Sequence, residues 1–193
     1  DEIAEPGYYS VFLKDYGIKA ELTATDRVAF HRYTYPADQG RANLIFNIGE
    51  MKMGESGPCR NAHVELAEDG RVEGWVTTYP VYVNNYQKGA DVTMYFSADI
   101  DDVPMEYGTF CKDVTFPGSK VQDGIGSGLY MVFDPAKDNE VNIKVGLSYT
   151  SVENARLNLM TEAKSLSFEK AKKLSVNRWE EALGRIRVEG GHH

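Results

Sequence analysis

Apolar and polar residues alternate with a period of two over most of the chain, from residue 8 to residue 150. Residues 18–22 and 141–147 show the pattern most clearly, with an apolar side chain at every second position. This alternation is typical of strands that bury one face. Prolines recur between Pro36 and Pro135, leaving room for short strands and few long helices. The pattern predicts a mainly β fold, in which antiparallel strands form a sandwich or a barrel.

The period changes after Thr150, where apolar residues begin to recur at helical spacing. Ser151 is placed to cap a first helix, and Ser167 a second helix over residues 168–183 that ends before Gly184. The predicted apolar stripe of this second helix consists of Phe168, Ala171, Leu174, Trp179 and Leu183. We therefore expect a β domain over residues 1–150 and a helical linker over residues 151–184, giving two C-terminal helices.

Composition excludes several classes of protein. The 193 residues carry a net charge of −8, so the chain lacks the basic surface that nucleic-acid binding requires. No apolar run approaches the length of about 20 residues that a transmembrane helix needs. Cys59 and Cys111 fit no paired metal-ligand spacing, and a disulfide or two unpaired thiols are both compatible with the sequence.

No catalytic or metal-binding residue stands out. We interpret His192 and His193 as the remnant of a purification tag, which leaves His31 and His63 and makes a histidine-based metal site improbable. Acidic residues cluster at 99–102 and 134–140, where loop carboxylates are expected to serve turns. Glycines at 124–128 precede a predicted strand instead of the helix that a phosphate-binding loop requires, so we predict a turn there.

Aromatic residues are the remaining candidates for a binding role, because sugars stack on aromatic rings. Trp75, Tyr79 and Tyr82 lie in one stretch and are, with His31, the candidate carbohydrate-contact residues. Core packing is the competing interpretation for the aromatics. The competing role for His31 is that of a hydrogen-bonded structural residue within a strand.

Two segments carry a family resemblance. The stretch PGYYSVFL at residues 6–13, continuing to residue 33, and the stretch SYTSVENARLNL at residues 148–159 resemble the N-terminal domain of glycoside hydrolase family 92. Members of that family are calcium-dependent exo-α-mannosidases. The resemblance implies a two-sheet sandwich of the galactose mutarotase-like supersandwich type. It also implies a helical linker leading to a catalytic (α/α)6 barrel, with residues 185–191 starting that connection.

The resemblance also implies a function. The family's catalytic acid, base and most calcium-associated residues belong to the barrel, so we expect calcium in the parent enzyme and no catalytic, metal or cofactor site here. The chain would be an N-terminal domain fragment, inactive alone, of an α-1,2-type exo-mannosidase acting on mannose-containing glycans. It would pack on the barrel and shape the glycan pocket. The parent would be a periplasmic, cell-surface or secreted bacterial protein.

Two other functions compete with this hypothesis. An independent carbohydrate-binding β-sandwich module would use the aromatic stretch that begins at Trp75. A self-sufficient mutarotase-like enzyme would need a histidine–carboxylate constellation, for which only His31 and His63 are available.

Overall fold

A computed structural model of the chain describes residues 1–50, 57–186 and 190, and it confirms a mainly β fold of two antiparallel sheets with two C-terminal helices. The strands are β1 (Glu2–Glu5), β2 (Tyr8–Leu13), β3 (Ile18–Ala24), β4 (Val28–Thr34), β5 (Ala42–Asn47), β6 (Cys59–Leu66), β7 (Val72–Thr78), β8 (Val92–Ile100), β9 (Glu106–Cys111), β10 (Val114–Pro117), β11 (Val121–Asp123), β12 (Ser127–Phe133) and β13 (Glu140–Ser148). The helices are α1 (Val81–Tyr86), α2 (Val152–Ala163) and α3 (Phe168–Leu183).

The strands form a large and a small sheet. The nine-stranded sheet has the order β1-β2-β3-β4-β13-β8-β7-β6-β11, and the four-stranded sheet has the order β10-β9-β12-β5. The side chains that alternate along β13 explain the layering: Val141 and Ile143 enter the core between the sheets, and Lys144 points to the other face. There its Nζ donates to the Ala163 carbonyl of α2 at 3.2 Å.

The two C-terminal helices, α2 and α3, lie on the outer face of the nine-stranded sheet. Ser151 and Ser167 cap α2 and α3 as predicted, since each hydroxyl accepts a hydrogen bond from a first-turn amide. Glycines allow the helices to come close to the strands. A Cβ on Gly146 of β13 would collide with α2, and one on Gly7 would lie 2.8 Å from the backbone nitrogen of Val176 in α3.

Some local predictions need correction. Leu174, Trp179 and Leu183 were predicted on the buried stripe of α3, but they are 47%, 49% and 55% exposed. Phe168 and Ala171 of the predicted stripe are buried, which confirms its first half, and Ser175 is buried as well.

The structure also shows a short additional helix and the state of the two cysteines. The short helix α1 forms in the aromatic stretch and was not predicted. Cys59 and Cys111 are free thiols, which decides between the two alternatives. Part of the predicted connection over residues 185–191, and all of residues 192–193, lie outside the described residues.

A buried carboxylate ties α2 to the nine-stranded sheet. Glu73 of β7 is 1% exposed and accepts hydrogen bonds from Ser97 Oγ at 2.6 Å and from Arg156 Nε of α2 at 3.0 Å. Burial alone raises the pKa of Glu73, but the bonds from Arg156 and Ser97 outweigh burial and lower it. Glu73 is therefore ionised in the folded chain, and the facing guanidinium of Arg156 stabilises its charge.

A second ionic network ties α3 to the same sheet. Glu21 of β3 accepts hydrogen bonds from Arg32 Nε at 2.9 Å and from Tyr8 Oη at 2.6 Å. Arg32 also pairs with Glu169 of α3 at 2.8 Å and packs its guanidinium 4.3 Å from the ring centre of Phe168. Burial raises the pKa of Glu21, yet the donors, Arg32 foremost, outweigh burial and hold it at about 2.

Removing the cation of the first network should destabilise the chain. Arg156→Ala leaves Glu73 buried without its main partner, so we expect a loss of about 3 kcal/mol in the free energy of unfolding. The double variant Glu73→Gln/Arg156→Ala should recover a substantial part of that loss, because no buried charge remains unpaired. Urea unfolding followed by circular dichroism measures both. A double variant no more stable than the single one would contradict the role of Glu73 as a paired anion.

The second network predicts a dependence of stability on pH. The pKa of Glu21 is lower in the folded chain than its ordinary value of 4.5, so its contribution is present above pH 4.5 and is lost as pH falls toward 2. Between pH 6 and pH 3, the wild type should lose about 2 kcal/mol more than Glu21→Gln in urea unfolding. Glu2→Gln, which alters an exposed carboxylate on β1, is the control. Parallel pH profiles for wild type and Glu21→Gln would refute this assignment.

Candidate domain-docking surface

The four predicted carbohydrate-contact residues do not come together. Trp75 shares its face of β7 with Glu73, so it lies on the side of the nine-stranded sheet that carries the helices. His31 shares its face of β4 with Tyr33, which packs against the core between the sheets. The two side chains therefore lie on opposite faces of one sheet, and no single ligand platform contains both.

The two tyrosines lie beyond the end of β7. Tyr79 has the Arg60 guanidinium 4.6 Å from its ring centre, and its hydroxyl accepts a hydrogen bond from the Gly89 amide at 3.2 Å. Tyr82 lies on α1 and is 68% exposed. These contacts give Tyr79 a structural role, and Tyr82 is exposed on α1 together with Tyr86, which is 89% exposed.

The two histidines differ in their surroundings. His31 Nδ1 lies 3.0 Å from Tyr33 Oη, and burial lowers the pKa of His31. His63 Nδ1 lies 2.7 Å from Asp123, and the His63 ring stacks 6.1 Å from that of Trp75. Pairing of β11 with β6 creates this contact, and the sequence contains no local signal for that pairing.

The described part of the chain contains no group of three or more histidine, cysteine or acidic side chains that could hold a metal ion. The acidic turns use their carboxylates locally. Asp134 accepts from the Ala136 amide at 3.1 Å, and Asp101 accepts from the Asn142 amide at 2.8 Å. These carboxylates accept hydrogen bonds from backbone amides, as loop acids commonly do.

The surface best suited to bind a partner is formed by the second half of α3. Small and apolar residues recur at intervals of three and four along one face of the helix and just beyond it. They are Phe168, Ala171, Ser175, Trp179, Ala182 and Ile186, hereafter the α3 stripe.

The two halves of the α3 stripe have different environments. Phe168 and Ala171 are buried against the sheet together with Tyr8 and Phe30. Residues 177–186 are all exposed, and within the stripe Trp179 is 49% and Ile186 is 81% exposed. Since α3 packs on β2, β3 and β4, the apolar face of its second half is only partly covered by the described residues.

Trp179 lies between two cavities at this end of the sandwich. One, of about 660 Å³, lies between α3 and the β3–β4 turn; the other, of about 640 Å³, lies against β1, β2 and β3. Ion pairs hold the walls of the first: Arg178 pairs with Asp26 at 2.5 Å, and Arg27 pairs with Glu162 of α2 at 2.7 Å. The surface around Trp179 thus combines apolar side chains with exposed ion pairs, as the core and the rim of a protein interface do.

Among the described helices, none is both long and apolar enough to span a membrane.

Comparisons with known proteins agree with this architecture. The model of the glycosyl hydrolase family 92 N-terminal domain matches residues 1–148. A protein of Arthroderma benhamiae described as an "Uncharacterized secreted glycosidase" is 26% identical over 198 residues, covering 97% of this chain and 26% of that protein.

Two solved structures share the whole fold. The family GH92 glycosyl hydrolase CcMan5 has a TM-score of 0.82 and 29% identity, covering 99% of this chain and 25% of that one. The GH92 α-mannosidase BT3965 from Bacteroides thetaiotaomicron has a TM-score of 0.84 and 25% identity, covering 98% of this chain and 25% of that one. This chain spans about a quarter of the length of these relatives. With the family model matching most of its length, the chain belongs to glycosyl hydrolase family 92, as the N-terminal β-sandwich domain.

Proposed function

We propose that this chain is the non-catalytic N-terminal domain of a larger α-mannosidase and that the α3 stripe docks it on the catalytic domain. The observation that carries the proposal is the continuation of the stripe from its buried half to exposed Trp179 and Ile186. A half-exposed tryptophan between two cavities is typical of the anchor of a protein interface. This chain covers a quarter of the length of its relatives. The partner that docks on the α3 stripe would therefore be the remaining polypeptide of the same protein.

The proposal extends to the chemistry of the parent. BT3965 is an α-mannosidase, which supports mannose-containing glycans as substrates. We propose α-1,2-linked mannosides among them. The domain would form one wall of the glycan pocket and shape it, while the acid, the base and any calcium ion would be held by the other domain. The relative described as secreted supports a secreted, cell-surface or periplasmic location.

An activity assay tests whether the catalytic residues lie in the other domain. With aryl α-mannoside and calcium, the 193-residue chain should show no hydrolysis above background, and the full-length parent should turn the substrate over. The reason is that the proposal assigns the acid and the base to the other domain, and the described residues offer no cluster of metal-ligating side chains. Hydrolysis by the isolated chain near the parent's rate would overturn the proposal.

If the α3 stripe docks on the catalytic domain, loss of the Trp179 side chain should destabilise the full-length parent more than the isolated chain. Trp179→Ala should destabilise the sandwich domain within the full-length parent by about 2 kcal/mol, since half of a large aromatic surface loses its partner. In the isolated chain the change should stay below about 1 kcal/mol.

Thermal unfolding of both proteins measures the difference. Tyr82→Ala, which removes an equally large exposed ring from α1, is the control and should leave both proteins unchanged. Equal effects of Trp179→Ala in the isolated chain and in the parent would rule out the stripe as the docking surface.

A further inference from the structure

The four strands that end the two sheets differ in how well they are protected against pairing with another strand. β1 is four residues long and carries Glu2 and Glu5, β11 is three residues long, and β10 is four residues long and ends at Pro117. Short length, charge and proline are the features by which edge strands avoid further pairing. β5 has six residues, of which none is charged and none is proline. It is therefore the end strand best suited to accept another strand.

The backbone of β5 has hydrogen-bonding groups on its free side. The Ile48 amide donates to the Ser127 carbonyl of β12, and the backbone groups of alternate residues point to the same side of an antiparallel strand. The amides and carbonyls of Ile45 and Asn47 therefore point away from β12, and among the described residues none bonds them. Their spacing matches that of an extended peptide, which alternates donors and acceptors along its edge.

A contact at the start of β5 agrees with this orientation. The carbonyl of Asn43, which the alternation also turns away from β12, accepts a hydrogen bond from Tyr35 Oη at 3.1 Å. The unpaired length of the edge therefore begins after Asn43 and includes Ile45 and Asn47.

A cavity of about 300 Å³ follows the same edge. Five consecutive residues, 44–48, line it from the small sheet, so the cavity lies along the backbone of β5 and not on one face of the strand. His31 of β4, and Val145 and Leu147 of β13, are among the residues that line it from the nine-stranded sheet. Most of the lining side chains are apolar, and the polar groups of His31 and Tyr33 lie 3.0 Å from each other. The cavity therefore offers apolar surface to a strand that pairs with β5.

The nine-stranded sheet extends beyond β5. The small sheet packs toward its other side, since β12 contacts β6 and β11, and β9 contacts β11. On the inner face, Leu22 of β3 and Tyr9 of β2 continue the row that begins with His31 of β4, and all three are only partly buried. The inner face next to β5 is thus apolar surface that the described residues cover only in part.

We propose that a strand of the parent polypeptide, from outside these 193 residues, pairs with β5 and extends the four-stranded sheet over β4 and β3. This chain covers a quarter of the length of its relatives, so the parent has the polypeptide to supply such a strand. The unpaired backbone groups select an extended peptide, and the cavity selects apolar side chains at alternate positions, on the face toward His31. The inference does not depend on docking through the α3 stripe, which lies on the other face of the nine-stranded sheet.

A second copy of this chain fits the edge less well. Antiparallel pairing of two β5 strands has its two-fold axis perpendicular to the sheet, so the nine-stranded sheets of both copies would lie on the same side. In each copy β3, β2 and β1 follow β4 at the end of that sheet, and these strands would have to occupy the same space. A single strand of the same polypeptide avoids that overlap.

Hydrogen exchange of the Ile45 and Asn47 amides tests the proposal, measured in the 193-residue chain and in the full-length parent under identical conditions. Both amides should exchange about tenfold or more slowly in the parent, because there they donate to the added strand. The Phe46 amide, which points to β12, is the internal control and should be protected in both proteins.

A proline variant tests the same contact through stability. Ile45→Pro removes an amide that points away from β12 and leaves the bonds to β12 in place. It should lower the melting temperature of the sandwich in the parent by about 3 °C more than in the isolated chain. Ala4→Pro is the matched control on β1: the Phe12 amide donates to the Asp1 carbonyl, so Ala4 also points to a free side, and both proteins should respond equally.

Three results would overturn the proposal. Equal, fast exchange of Ile45 and Asn47 in both wild-type proteins would show that no strand pairs with β5, even if protection of residues 176–186 in the parent supports the docking role of α3. Slow exchange already in the isolated chain would assign the edge to residues of this chain or, if the rate depends on protein concentration, to a second copy. An equal loss of stability from Ile45→Pro in both proteins would show that the parent adds no partner at this edge.

Discussion

Glu73 is a carboxylate at the centre of the nine-stranded sheet, and its pairing with Arg156 is the interaction on which the rest of the molecule depends. A carboxylate 1% exposed is tolerated only with a cation and further donors at hand. Arg71 beside β7 lies 3.5 Å from the same carboxylate, but the closer contacts come from Arg156 of α2, so docking of the helix stabilises the charge of Glu73. The helical segment is thus part of the folded domain and more than a connector.

The network around Glu21 extends the same principle to α3. Arg32 lies between Glu21 of the sheet and Glu169 of the helix, so the first turns of α3 are fixed in direction. A helix fixed at its start and free at its end presents its last turns in a defined orientation. On the docking proposal, the exposed half of the α3 stripe, with Trp179 at its centre, starts from a fixed first turn, which limits the orientations that it has to search.

Local physical rules explain what the sequence could predict. Alternation in β13, the caps Ser151 and Ser167, and the turn at glycines 124–128 depend on neighbours in sequence, and the structure confirms each of them. The exposed second half of α3 could not be predicted, because helical periodicity identifies an apolar face without showing where the covering sheet ends.

Long-range pairing decides the remaining features. The contact of His63 with Asp123 needs β11 beside β6, and the packing of Phe110 on Gly128 needs these two residues directly opposite each other. Neither register is encoded by a local motif. The separation of Trp75 from His31 has the same origin. Successive side chains of a strand point to opposite faces of the sheet, and a shift of one residue exchanges the faces. Residue type and position in the chain therefore could not show whether the two side chains share a site.

The most direct test of the account is hydrogen exchange at residues 176–186, measured in the 193-residue chain and in the full-length parent under identical conditions. The account predicts slow exchange of these amides only in the parent, with residues 168–175 protected in both. Equal, fast exchange of the second half of α3 in both proteins would contradict it, because a docked helix cannot open as freely as an exposed one.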